Sequence, residues 1–456
     1  MNFDRSLLLA ILLLAARSVL GADPAPAWSG GADFRLREVG INNANALQEN
    51  NASAERHFQR YRLRAWGQYQ PEANWSVGGR LMWEGRHYVE PDIASFESWY
   101  SGALMFDNLY IQADQPGGLP LKLKLGRQDI VLGNGWLMLD GTPFDGSRTL
   151  YFDALRATWS SGATSLDAIL VKQPPHTSLT LNGENEDQTE QNEKGLVLYL
   201  RHKASPDTTL DGYYFYKGNT PATGTRSGGT VRANNGFIVP VAADPSDDGH
   251  VNAVGGRMET QLTPDWKLRA EAAAEWGKRK VGALPAQDMR GFGFNGRVTR
   301  TLGGAWNNRL NLGYEFLSGD DPNTPSRNEA FDPLWGRWPQ WSELYGPYTY
   351  GMETRTGETT NLQRLNLGWV AQVHPKAELS LDYHLLFADE NSKCGTAGFS
   401  CVDKLRGHLF TAWLRAKLDK HVSGHLLAEY LLPGDYYVTP KGDNAYFLRA
   451  ELYLTW

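Results

Sequence analysis

No stretch of this 456-residue chain approaches the ~18 uncharged apolar residues of a transmembrane helix, and its mean hydropathy is −0.46. A helical membrane protein is excluded. Cysteine is almost missing: only Cys394 and Cys401 occur, inside one expected loop. Two thiols with no histidine nearby do not complete a tetrahedral metal site. In an oxidising compartment they are expected to close that loop as a disulfide. No Pro/Ser-rich linker and no block of like charge divides the chain. It also contains no GxSxG, HExxH, Walker A or CxxC pattern, so neither a cofactor nor an enzymatic activity is expected.

Histidine and acidic clusters point to no metal either. His421 and His425, the closest strand pair, would stand ~13 Å apart on an extended chain, too far to share an ion. Asp244, Ser246, Asp248 and Gly249 resemble the start of a calcium loop, but position twelve is Gly255 instead of Glu. An ordinary polar loop is the expectation there. The net charge of −6 is unremarkable, and no nucleic-acid partner is expected.

What the chain does have begins with its ends. Arg5 precedes a short apolar run, Leu7 to Ala16, followed by small residues up to Gly21 and Ala22. This is the pattern of a secretory signal peptide over 1–22, with a single domain expected over 23–456. At the other end, Tyr446, Leu448, Ala450, Leu452, Leu454 and Trp456 share one face of an extended segment, and Phe447, Arg449, Glu451, Tyr453 and Thr455 the other. An apolar-out strand closing on Trp456 is the expected closing strand and assembly signal of an outer-membrane barrel.

Similar alternation recurs near 29–39, 56–70, 74–86, 106–114, 120–128, 150–160, 163–172, 194–203, 207–218 and 249–262. It continues near 265–277, 288–302, 305–318, 361–374, 377–389, 405–419, 421–432 and 445–456, about 18 strands in all. Every second connector is a tight turn, among them Pro116-Gly117-Gly118, Ser161-Gly162, Gly303-Gly304 and Pro375-Lys376. Those between are long, the extremes being 219–248 and 319–360. A soluble sandwich has no reason to sort its loops by parity. The pattern predicts an all-β, antiparallel, up-and-down transmembrane β-barrel, with short periplasmic turns and long extracellular loops. The combined Gly 48, Trp 16 and Tyr 20 suit such a barrel with aromatic girdles. The expected location is the bacterial outer membrane, with its lipid as a partner.

In this geometry the apolar faces meet lipid and the charged faces line the lumen. Under the alternation rule the inward face carries roughly 20 Lys and Arg against about 12 Asp and Glu. Arg35 and Arg37 form one same-face row; Arg60, Arg62 and Arg64 form the next; Arg80 follows. Lys122, Lys124, Arg156, Arg201, Arg297, Arg309, Arg364, Arg415 and Arg449 continue around the wall. Cationic side chains in a water-filled constriction select anions, and arginine's planar fork suits carboxylates. Exchanging Arg62, Arg64, Arg80 and Arg156 for Glu is expected to shift selectivity without harming the fold. With too little chain before the first strand for a plug, only long loops folded inward would narrow the pore.

Two stretches carry a family resemblance. Leu125-Gly126-Arg127-Gln128-Asp129-Ile130, followed by Gly133-Asn134-Gly135 and Gly141-Thr142-Pro143-Phe144-Asp145-Gly146-Ser147-Arg148, is similar to the alginate-export outer-membrane proteins. So is Phe331-Asp332-Pro333-Leu334-Trp335-Gly336-Arg337-Trp338-Pro339. The resemblance implies an 18-stranded porin that passes a linear polyuronate from periplasm to cell surface, and a periplasmic scaffold protein as a further partner. By position it adds Arg127 and Arg148 to Arg62, Arg64 and Arg156 at a cationic constriction. Passive export of an anionic polysaccharide is therefore expected, since no ATPase motif exists. A channel for small anionic or sugar solutes and a closed adhesin barrel are the alternatives.

Overall fold

Period-two alternation produces strands, and here every barrel strand finds two neighbours. The computed structural model describes residues 27–49, 51, 54–90, 98–139, 151–183, 189, 191–221, 229–232, 238–241, 247–281, 285–336, 341–353 and 359–456. The segment expected to be a signal peptide lies outside these residues. The barrel strands are β1 (Ala27–Asn42), β2 (Glu55–Glu72), β3 (Trp75–Glu90), β4 (Met105–Asp114), β5 (Leu121–Gln128) and β6 (Phe152–Ser161). Then come β7 (Thr164–Gln173), β8 (Gln191–Ser205), β9 (Thr208–Pro221), β10 (Asp247–Thr263), β11 (Trp266–Val281) and β12 (Phe292–Gly303). The last six are β13 (Asn308–Leu317), β14 (Leu362–His374), β15 (Ala377–Phe387), β16 (Leu405–Lys417), β17 (Val422–Pro433) and β18 (Ala445–Thr455).

Each strand pairs antiparallel with the next, and β18 returns to β1 in register from Asp33↔Thr455 to Asn42↔Tyr446. The result is a closed 18-strand barrel. Backbone bonds between Ala32 and Trp456, in both directions, extend the seam. Closure matters physically, because an open edge would leave N–H and C=O groups without partners in hydrocarbon.

Side-chain exposure follows the alternation. Leu63, Leu312, Leu365, Leu367, Leu426 and Leu448 stand exposed on the outside, while Arg62, Asn311, Asn366 and Arg449 between or beside them are buried inside. One expected strand is divided. The 288–302 segment becomes Gln287–Met289 and β12, separated at Gly291, whose backbone exchanges two hydrogen bonds with Glu275. The short piece instead pairs in parallel with Arg327–Asn328, which draws it towards the long connector after β13.

The described residues of that connector, 318–336, 341–353 and 359–361, fold into the lumen. The Trp335 indole N–H donates to Glu193 of β8 at 2.9 Å, and the Lys217 ammonium of β9 donates to the Leu334 carbonyl at 2.9 Å. Gly195 makes this docking feasible, since a Cβ there would sit 2.2 Å from the Trp335 ring. Residues 129–139 join from the other side, with the Trp335 backbone N–H donating to the Leu137 carbonyl at 3.0 Å. Farther along, Glu429 of β17 accepts from the backbone N–H groups of Glu343 and Leu344, at 2.9 and 2.6 Å. Arg406 of β16 pairs with Glu353 at 2.6 Å, both almost wholly buried, and Tyr436 and Tyr437 donate to the same carboxylate. Loops, not an N-terminal segment, fill this barrel among the described residues.

Cys394 and Cys401 are bonded, with Cα atoms 4.5 Å apart, in the loop between β15 and β16. A closed loop this short removes on the order of 2–3 kcal/mol of unfolded-state entropy, little beside a complete barrel ladder. The C394S/C401S protein is therefore expected to reach the outer membrane and keep its heat-resistant migration on gels. Loss of the folded band in that variant would contradict the assignment of the pair to loop order alone.

Candidate permeation site

The infolded connector leaves a cavity against the wall from β11 to β16, bounded on one side by its own Phe331, Pro333 and Trp341. Arg269 of β11 and Arg297 of β12 lie directly opposite each other in register. Arg269 forms no hydrogen bond or ion pair with any described residue, and its Nε is buried without a partner. Arg297 has only Asp382 at 3.9 Å, and its Nε is likewise unpartnered among the described residues. On its other flank Arg269 faces Glu259 in register, but Arg257 and Lys267 already hold that carboxylate. Directly opposed like charges destabilise a sheet, and among the described residues no carboxylate lies within hydrogen-bond distance of this guanidinium pair.

Further cations flank the pair. Arg364 on β14 bonds Glu315 at 3.1 Å and lies 4.6 Å from the Trp341 ring centre. Arg415 on β16 donates to the Ser380 hydroxyl at 3.2 Å and lies 4.2 Å from the Trp413 ring centre. Arg309 on β13 pairs with Glu378. Arg269, Arg297, Arg364 and Arg415 line one cavity of about 410 Å³ together with Trp136, Trp341 and Trp413. A second cavity, about 460 Å³, shares Arg415 and Glu378 and continues to Lys376 and Lys417 at the short-turn rim. The two form a path from that rim to the infolded connector. Along it, guanidinium forks offer bidentate sites for carboxylates, and indole faces offer flat apolar surfaces to sugar rings.

Of the inward charges singled out by sequence, Arg297, Arg364 and Arg415 line the cavity, and the others fall elsewhere. Arg35 and Arg37 are buried beside Glu451. Arg62 and Arg64 share Asp33, at 3.5 and 2.8 Å. Arg80 makes double contacts to both Asp107 and Asp129 at 2.8–3.0 Å, and Arg156 grips Asp167 through two bonds of 2.9 Å. All these face inward, but each is committed to a carboxylate. The expectation that Arg62, Arg64, Arg80 and Arg156 tolerate exchange for Glu is thereby corrected: each new carboxylate would confront the Asp that the arginine now neutralises.

Lys122 pairs with Asp114 at 3.3 Å near the short-turn rim, and Lys124 lies 3.6 Å from the Tyr110 ring centre. Arg127 is the clear correction. It stands an odd number of residues from Lys122 and Lys124 is three positions before it, so alternation turns it away from the face of Lys124. There it is 2% exposed, bound to Asp153 at 2.9 Å and to the Phe106 and Ser178 carbonyls. It anchors the wall and does not line the pore. Arg148 lies outside the described residues. Arg269, Arg297 and Arg415 were legible as inward charges, but nothing in their spacing distinguished them from the paired arginines.

Comparison with known proteins agrees with this architecture. A sequence model of the alginate export family matches residues 27–445. Among solved structures, OccAB2 of Acinetobacter baumannii aligns with a TM-score of 0.57 at 10% identity, over 94% of this chain and 98% of that one. OpdK of Pseudomonas aeruginosa, crystallised with vanillate, gives 0.55 at 12% identity over 94% and 99%. OccD3 (OpdP) of Pseudomonas aeruginosa gives 0.54 at 10% over 97% and 95%. At such identities the likeness establishes the fold alone. No curated protein matches the sequence.

Proposed function

This chain belongs to the alginate export family and has a porin-like outer-membrane barrel, and from that premise we propose that it passes an anionic, uronate-rich polysaccharide passively outward. The observation that carries the reading is the Arg269–Arg297 pair, two opposed guanidinium groups without a wall carboxylate between them. Arg364 and Arg415, each beside an indole, extend the same chemistry along the path. A polyuronate would move by exchanging its carboxylates between these sites, each attractive enough to admit it and weak enough to release it. Synthesis or a gradient supplies the drive.

A second reading is a channel for short anionic solutes. The connector folded into the lumen favours it, because a cavity of about 410 Å³ is of the size that small-molecule sites have. Single-channel recording in a planar bilayer separates the two. Under a KCl gradient the reversal potential is expected on the anion side. Polyuronate added to one chamber is expected to block the current, a neutral glucan of equal length is not, and block should deepen with chain length. A cation-side reversal potential, or equal block by the neutral polymer, would defeat the proposal. Block by monomeric uronate with none by the polymer would select the second reading.

A further inference from the structure

Another pair of like charges stands opposed on the outside of the barrel. Lys172 of β7 and Lys194 of β8 are cross-strand partners. Both are exposed, and neither ammonium has a hydrogen bond or ion pair among the described residues. They face away from the lumen. Their flanking neighbours Val171, Gln173 and Glu193 are buried inside, whereas Leu170 and Leu198 on their own face are exposed. They also sit at the long-loop end: β7 starts from the tight turn after Ser161 and reaches Lys172 one residue before it stops.

Among the described residues, the acids nearby are otherwise engaged. Asp153, next to Lys172 in register, is held by Arg127. Asp248 and Asp288 stand farther round the wall, opposite Lys280 and Lys278. On the other side of Lys194 the register partner is Gly218. A Cβ there would lie 3.1 Å from both Lys194 Cε and the Tyr216 hydroxyl, so the lysine stem leans across the glycine to a phenol that stacks on His250. Below the two ammonium groups, towards mid-membrane, Leu170 and Leu196 form the next outward cross-strand pair.

We propose that Lys172 and Lys194 bind the phosphorylated head group of a glycolipid in the outer leaflet, with its acyl chains on the leucine face beneath. Ammonium groups serve phosphate as point charges, and basic side chains at the edge of a membrane recruit anionic head groups. The polar-above, apolar-below order of Lys172/Lys194 over Leu170/Leu196 matches a phosphate joined to hydrocarbon better than a free anion. This site is independent of the pore reading, since it lies on the opposite face of the wall.

Native mass spectrometry of the purified barrel in neutral detergent tests the assignment, with bisphosphorylated lipid A as the probe. The wild type is expected to retain it. K172E/K194E is expected to bind at least tenfold more weakly, as is dephosphorylated lipid A to the wild type. K420E, in the exposed turn between β16 and β17 at the opposite rim, should bind as the wild type does. Pore conductance should be the same in all, which establishes that the double variant is folded. If K172E/K194E fails to assemble, K172Q/K194Q removes the charge without reversing it and is read the same way. Unchanged affinity in the lysine variants, equal binding of the dephosphorylated lipid, or displacement by inorganic phosphate would overturn the proposal.

Discussion

The R269E/R297E protein is expected to lose its anion preference and its block by polyuronate while assembling at normal levels. The exchange turns two positive charges into two negative ones at the only opposed arginine pair, among the described residues of the main cavity, that holds no strong wall carboxylate. A shift of roughly tenfold in the anion-to-cation permeability ratio, about 1.4 kcal/mol, is the expected size, shrinking at high salt as screening shortens. Assembly should survive because the one ion pair lost is the long Arg297–Asp382 contact at 3.9 Å. The carboxylate introduced in place of Arg269 would face Glu259, an unfavourable contact of about 0.2–1 kcal/mol, and Glu259 is already held by Arg257 and Lys267. An assembled R269E/R297E pore with the wild-type reversal potential would show that selectivity is set elsewhere, and with it the proposed site would fall.

R406L is expected to release part of the infolded connector and raise single-channel conductance several-fold. Arg406 and Glu353 are both nearly inaccessible, and Arg406 also takes the Tyr345 hydroxyl at 2.9 Å. Removing the arginine strands a buried carboxylate, which costs about 3–5 kcal/mol. That cost falls on the connector rather than on the ladder, so the heat-resistant barrel should persist. Removing both charges costs far less than stranding one, so R406L/E353L is expected to return conductance towards the wild type. Equal conductance in the wild type and R406L would mean that the pair does not hold the connector in place. A double variant as leaky as the single one would mean that packing, not charge, does so.

The barrel was almost wholly legible. Side chains alternate with period two on any strand, and a strand between lipid and water must sort them by polarity. Leu365 and Leu367 against Arg364 and Asn366 therefore report their faces directly, and short and long connectors alternate by necessity in an up-and-down barrel. The limits of this reasoning appear at Arg127 and at 288–302. Arg127 was placed by likeness of position, although its odd spacing from Lys122 and Lys124 puts it on the other face of the strand. The 288–302 run alternates well enough for one strand, yet its first residues pair with Arg327–Asn328, a contact no local pattern encodes.

The functional site was legible only as a class. Sequence by itself determined that a closed antiparallel barrel forms and that a belt of arginines faces inward, because both follow from polarity repeated along each strand. Only the tertiary structure decided which of those arginines are neutralised. Asp33, Asp107, Asp167 and Glu451 reach their partners across strands or across the β18–β1 seam, and the connector 318–361 chooses which arc of the wall it covers. Arg269 remains unmatched because Glu259 is drawn to other cations, and Arg297 reaches only Asp382, at 3.9 Å. Register and loop placement set those distances, and neither is written in the spacing of any single strand.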